Sequence, residues 1–448
     1  MSKETKKIQY NEEKRQEAFT FSRDYGHFLN LCKTEREAVT HTLDLAQAIG
    51  YKDGFSAQHL KPGDKVYFIN RGKNIALLHL GHKPLSKGFN LVAAHTDSPR
   101  LDLKPAPLTE SGQLAFLKTH YYGGIKKYQW VNIPLALHGV VVLKDGQTHT
   151  ICLGEAPDDP VFMIPDLLPH LSAKIQGERK ATELIKGEEL QIIIGSEPLI
   201  TASADAKNPI KMAVLEHLNR LYNMEEEDFF SAELTAVPAG SVRDLGLDRG
   251  MLAGYGHDDK MCSYASVRAI LDLEQTPQTS VMTFLADKEE IGSTGSSGMQ
   301  SDFLMYTIAK ALQAADLPCD QLHVMECLWQ SVALSADVNA ALNPVFKEVH
   351  DLSNAPTINA GITISKYTGS GGKFMANDAD AELVGALRQL LHKHQVPHQF
   401  GELGKIDEGG GGTVAQFLAH RGIAVIDCGG PVLSMHAPFE IISKLDLY

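Results

Sequence analysis

Five short segments of this chain each close on a residue able to bind a metal ion. Asn90-Leu-Val-Ala-Ala-His95-Thr-Asp97-Ser-Pro-Arg100 is an apolar run that breaks at a histidine and an aspartate. The others are Gly256-His-Asp258-Asp259-Lys260, Asp287-Lys-Glu289-Glu290-Ile-Gly292, Leu334-Ser-Ala-Asp337 and Leu433-Ser-Met-His436-Ala-Pro438. Two adjacent metal ions need imidazole nitrogens and carboxylate oxygens in about this number, delivered by separate elements. The chemistry such a set serves is metal-assisted hydrolysis.

Each segment also has a plainer reading. His95 and Asp97 are one residue apart, so in extended backbone they share a face, and Asp97 could hold the imidazole nitrogen turned away from a metal. Asp258 and Asp337 sit where an aspartate commonly caps a helix. His436 lies between two proline-bearing turns, where a solvated histidine is common. In Glu289-Glu290 successive side chains diverge, so one carboxylate can bind metal while its neighbour acts as general base. A solvated acidic turn is the alternative. Against it, Val281–Ala286 delivers the pair from an apolar strand into Gly292-Ser-Thr-Gly295, whose small residues allow close backbone approach.

Two glycine runs invite the same scrutiny. Thr368-Gly-Ser-Gly-Gly-Lys373 has the look of a phosphate loop, but Tyr367 and Phe374 stand where that motif needs glycine and serine or threonine. Asp407-Glu-Gly-Gly-Gly-Gly-Thr413 opens a short helix, where free amides could hold a carboxylate or line a substrate cleft.

The whole chain bounds what these segments can belong to. Its 448 residues allow one large catalytic domain and a second unit. An apolar fraction of 43% is enough to fill a core. A net charge of -13 without a basic cluster argues against nucleic acid and anionic membrane as partners. The six cysteines are scattered, which suits buried reduced thiols and a cytoplasmic protein. The polar start lacks the apolar core of a signal peptide, and no apolar run approaches the roughly 20 residues of a spanning helix.

The elements that must position the site alternate strand and helix. Thr34 and Glu37 have capping-box spacing ahead of a helix through Ile49. Lys65–Ile69, Asn74–Leu78 and Phe89–Ala94 read as strands, the last as one buried on both faces. Beyond residue 242, helices are expected at Asp259–Leu273, Ser301–Ala315, Ala379–His394 and Val414–His420. Strands are expected at Val281–Ala286, His323–Glu326, Ile362–Ser365 and Ile423–Asp427. This pattern calls for an α/β fold, a mainly parallel mixed sheet flanked by helices, with its site beyond the carboxyl ends of strands. Residues 101–240 differ, with prolines between short β-rich runs and an Asp145-Gly146 hairpin turn. They are expected to be an inserted β-rich domain for dimerisation or higher assembly, splitting a catalytic domain of residues 1–100 and 241–448.

Taken in order, the segments resemble the aspartyl aminopeptidase family of cocatalytic zinc metallopeptidases, related to the tetrahedral aminopeptidases. The resemblance runs from about Asn90 to the end and is strongest in Ala94–Arg100, Asp287–Gly292, Ser335–Asp337 and Met435-His436. It implies a zinc-peptidase-like fold and two zinc ions per subunit, with cobalt or manganese as possible substitutes. One zinc would be held by His95 and Asp337, the other by Glu290 and His436, with Asp258 bridging. Glu289 would be the general base and Asp97 would orient His95. His170, in Ile164-Pro-Asp-Leu-Leu-Pro-His170, would reach a neighbouring subunit's site and stabilise the oxyanion there. Lys366 would meet acidic substrate side chains. The implied function is removal of an N-terminal residue from short peptides, with preference for Asp or Glu, by a homo-oligomer, a tetrahedral dodecamer. Ala340 and Asn343 stand where some members carry histidines near the substrate pocket, so side-chain preference is the point of departure. The rivals are an aminopeptidase of broader, basic or neutral specificity, a cocatalytic-zinc carboxypeptidase or deacylase, and a non-catalytic assembly protein. The last would have lost Glu289 or a ligand, and neither is lost.

Overall fold

The structure is a computed structural model that describes residues 7–201, 203 and 205–448. The described residues divide into two compact units, one within residues 7–98, 242–435 and 440–448, the other within residues 99–241 and 436–439.

The first unit is built on a nine-stranded mixed sheet. Its order is Lys52–Asp53, Lys65–Asn70, Asn74–His79, Ser280–Ala286, Phe89–His95, Val332–Ala336, Ala424–Gly429, Ile362–Ser365 and His398–Phe400. The run from Ser280–Ala286 through Ala424–Gly429 is parallel throughout. Alternating side chains explain why helices cover both faces. Ala76, Leu78, Leu91, Ala93, Met282 and Phe284 join one core with the helices Phe303–Ala314, Gln321–Trp329 and Ala415–His420. Ile75, Leu77, Ala94 and Leu285 point the other way, into a core with Glu12–Leu31, Glu35–Ala48 and His257–Leu271. The expected α/β sheet flanked by helices is therefore present, as is the capping box of Thr34 and Glu37. A smaller five-stranded sheet contains Met251–Gly254 and Glu440–Ser443.

One expected strand is a helix. His323–Glu326 lies inside Gln321–Trp329, and the strand follows at Val332–Ala336. Asp320 caps that helix by accepting the amides of Leu322 and His323. Val324, Cys327 and Leu328 are buried at helical spacing, a pattern that so short an apolar run does not separate from a strand.

The second unit is a six-stranded antiparallel sheet: Thr148–Leu153, Leu135–Val142, Ala232–Pro238, Arg100–Ser111, Leu114–Tyr122 and Gln191–Gly195. The Asp145-Gly146 turn joins the first two, with Val142 opposite Thr148.

Candidate metal centre

Three adjacent parallel strands end at the site. His95 is the last residue of Phe89–His95 and pairs in register with Ala286, the last of Ser280–Ala286. Asp337 follows Val332–Ala336 on the other side. A side chain leaving the carboxyl end of each strand therefore enters the same crevice. Asp258 and Asp259 come from the start of the helix His257–Leu271, where neither has helical backbone angles and the peptide bond between them is cis.

The ligand atoms converge in two overlapping groups, His95 with Asp258 and Glu290, and His95 with Asp259 and Asp337, each within 4.8 Å of one another. His95 Nδ1 lies 3.1 Å from the carbonyl oxygen of Asp97 and 3.4 Å from its carboxylate. These are acceptors only, so Nδ1 carries a proton, and Nε2 is the nitrogen that would face a metal once its own proton is given up. Nε2 faces Asp258 Oδ1 at 3.3 Å and Asp337 Oδ1 at 3.9 Å.

Asp97 does more than hold the imidazole. Its two carboxylate oxygens accept the backbone N–H groups of Glu289 (3.1 Å) and Glu290 (3.2 Å). One buried carboxylate thus fixes both the histidine and the turn Glu289–Ile291 that carries the acidic pair. Lys288 before that turn and Gly292 after it both have left-handed backbone, with φ of 67° and 86°. This reversal sends the chain back over the strand end.

Burial sets the electrostatics. His95, Asp97, Asp258 and Asp259 are buried, and Glu289 and Glu290 half-buried. Burial opposes charge on His95, but its hydrogen bonds to Asp258 and Asp97 outweigh that and hold its pKa well above the usual range. Burial, with neighbouring carboxylates, raises Asp259 and Asp337. Asp259 Oδ1 is buried without a hydrogen-bond partner. Imidazole and carboxylate donors crowded out of water at mutual electrostatic cost are what a divalent cation relieves, and they match zinc's ligand chemistry. The residues fit the metal.

A model of the aminopeptidase I zinc metalloproteases (M18) matches residues 28–448. The chain belongs to the M18 family. A probable M18 family aminopeptidase 1 from Borrelia garinii subsp. bavariensis is 49% identical over 449 aligned residues, spanning 100% of this chain and 97% of the relative. The crystal structure of an M18 aminopeptidase from Thermotoga maritima superposes with a TM-score of 0.91 at 43% identity, covering 98% of this chain and 97% of that one. The S. cerevisiae mApe1 dodecamer shares the fold at a TM-score of 0.77 and 21% identity, with 96% and 94% covered. As an M18 enzyme the protein is a zinc metalloaminopeptidase, a peptide hydrolase.

The remaining expected residues each belong to one of the two units. His436 is grouped with the second unit, where its Nδ1 donates to the Gly124 carbonyl oxygen at 2.9 Å, again leaving Nε2 as the acceptor. His170 is exposed in the short helix Pro169–Ser172, also in the second unit. Lys366 follows the strand Ile362–Ser365, is half-exposed, and pairs with Asp378 at 3.5 Å. Asp378 also takes Lys373 at 2.7 Å. In the glycine run Asp407–Thr413, Gly410-Gly411 pairs with Gly369-Ser370, and Thr413 Oγ1 donates to Asp427 Oδ1 at 2.6 Å.

Sequence reasoning passed over Asp259, which had been seen only as Asp258's neighbour. The signal was the acidic doublet itself: the same divergence of adjacent side chains that singled out Glu289-Glu290 applies to it. No helix among the described residues is long and apolar enough to cross a membrane.

Proposed function

We propose that this M18 enzyme removes the N-terminal residue of short peptides using two zinc ions, with a preference for N-terminal Asp or Glu. The observation that carries the reading is the arrangement around Asp97, which meets His95 with its carbonyl and carboxylate oxygens and accepts both amides of the Glu289-Glu290 turn on that carboxylate. In this assignment His95, Asp258, Glu290, Asp337 and His436 would hold the metal, and cobalt or manganese could substitute. When bound, the zinc ions supply Lewis acidity and an acidified water.

Glu289 takes the proton from that water on a carboxylate oxygen and returns it to the leaving amine. Asp97 keeps that carboxylate at a fixed distance from the ligand Glu290, because the two amides it accepts are adjacent. His95 holds its proton on Nδ1 throughout. Asp259 adds a fourth carboxylate beside Asp258, Glu290 and Asp337. When ionised, these four match the charge of two divalent ions. Selectivity for acidic substrates falls to residues outside the cluster, Lys366 first, through a charge-assisted contact.

The pairing of Lys366 with Asp378 favours a second reading, an aminopeptidase of broader specificity, since part of that lysine's charge is already countered. The assembly assigned to this reading is a cytoplasmic homo-oligomer, a tetrahedral dodecamer formed through the inserted β-rich domain, with His170 acting in a neighbouring subunit's site. Metal content by elemental analysis, beside rates on a panel of aminoacyl chromogenic substrates and N-blocked peptides, tests the reading. Cleavage of blocked peptides would move it to a carboxypeptidase or deacylase. Faster cleavage of leucyl or lysyl than aspartyl substrates would remove the acidic preference alone. An active monomer in light scattering would sink the assembly.

A further inference from the structure

Asp258 stands at the head of a helix without helical backbone angles (φ -81°, ψ 109°), so neither its N–H nor its C=O can count on helix partners. Side chains supply both. Its N–H donates to Glu440 Oε2 at 2.9 Å. Its carbonyl oxygen accepts the Ser98 hydroxyl at 2.7 Å. The Ser98 oxygen is in turn the acceptor for the Lys260 ammonium at 2.7 Å. Ser98 is 1% exposed and Lys260 is fully buried, which for a lysine calls for an explanation beyond packing. Gly256 makes room for this chain of contacts: a Cβ there would lie 3.0 Å from both Lys260 Nζ and Ser98 Oγ.

We infer that Lys260 and Ser98 form a positioning relay that holds the Asp258 carbonyl and so aims the Asp258 carboxylate at the metal centre. The inference rests on the reading of Asp258 as a ligand. An ammonium donating to the serine oxygen fixes which way the hydroxyl hydrogen points, toward Asp258, because the ammonium can only donate. A hydroxyl without that neighbour is free to rotate. Burial pushes the Lys260 pKa down, and the nearby acidic groups Asp97, Glu35 and Glu440 oppose that shift. Neither Lys260 nor Ser98 touches substrate in this scheme. Their effect passes through the backbone of one ligand, as supporting residues around metal sites do.

The test uses the full-length enzyme with zinc as the probe, titrated against a chromophoric chelator. Ser98→Ala and Lys260→Met should each weaken zinc binding about 10- to 100-fold, the usual cost of losing such a support. Ser98→Thr keeps the hydroxyl and should bind within a few-fold of wild type. Excess zinc should restore kcat in Ser98→Ala at unchanged KM, which a general loss of stability would not allow. The double variant should be no weaker than the weaker single, since the two residues act in series. Wild-type zinc affinity in Ser98→Ala, or additive losses in the double variant, would overturn the relay. If Lys260→Met fails to fold, the Ser98 pair decides alone. Asp258→Asn separates the two layers: retention of both zinc ions there would remove the ligand assignment itself. Loss of zinc there, with wild-type affinity in Ser98→Ala, would remove only the relay.

Discussion

The buried acidic cluster and the half-exposed lysine patch around Lys366 belong to the same unit but are built on opposite principles. In the cluster Asp97, Asp258 and His95 are tied to backbone. Asp97 accepts two amides, Asp258 is gripped at both its N–H and C=O, and His95 is a strand end in register with its neighbour. Around Lys366 the backbone is paired too, with the Ala379 N–H donating to the Lys366 carbonyl oxygen, but the charged groups are held by other side chains. Lys366 and Lys373 share Asp378, Lys373 lies over the Tyr367 ring, and the Tyr367 hydroxyl donates to Glu402. Exposed pairs of long side chains are worth little and rearrange cheaply. Under the proposed function, chemistry is assigned to rigid parts and selectivity to parts that small changes can retune.

The largest effect should come from the cluster. Glu289→Gln removes the proposed base without removing a ligand, and should cut kcat roughly 100- to 10,000-fold with zinc content unchanged. Full turnover with metal in place would end that assignment. Next in size, Asp97→Asn takes away one acceptor from a carboxylate that serves three groups, and zinc affinity should fall about 10- to 100-fold. Chelator titration checks it, and unchanged affinity would mean that the shared-carboxylate argument is wrong. His436→Ala should lower the zinc stoichiometry toward one ion, read by elemental analysis after dialysis; two retained ions would strike His436 from the ligand set.

The same contrast explains what was legible in the sequence. His95, Glu290 and Asp337 were visible because an apolar run that breaks at such a residue is a local pattern. Asp258 was told from a helix cap only through the family resemblance, and the structure brings those four together. The α/β sheet was legible for a similar reason, since period-two and period-3.6 runs are local. Asp259 was not singled out, because its part depends on non-helical backbone at a helix start, which a capping aspartate at the same place would not show. Ser98 and Lys260 were invisible: their contact joins residues 162 apart in the chain, and nothing near either one announces it. His323–Glu326 was misread because three or four apolar residues fit both periods.

In the lysine patch the effects should be smaller and confined to selectivity. Lys366→Ala should lower kcat/KM on aspartyl and glutamyl substrates by about 10-fold, the worth of one charge-assisted contact, and leave leucyl substrates nearly unchanged. An equal loss on all substrates would assign Lys366 to structure instead.

The smallest predicted effect runs in the opposite direction. Asp378 carries the charge that a substrate carboxylate would bring, and its position beside Lys366 and Lys373 holds its own pKa below the usual carboxylate range. At neutral pH it is therefore ionised and competes with an acidic substrate for Lys366. Asp378→Asn keeps the shape and removes the competitor. Because the pair is half-exposed and screened, its release is worth at most about 1 kcal/mol, or about 5-fold. The gain should appear as a lower KM for aspartyl substrates with kcat unchanged, and it should shrink as salt is added. A gain shared by leucyl substrates would point to a loosened loop. No gain at low ionic strength would mean that Lys366 and Asp378 lie outside the path of the substrate side chain, and the contrast between rigid chemistry and tunable selectivity would lose its second half.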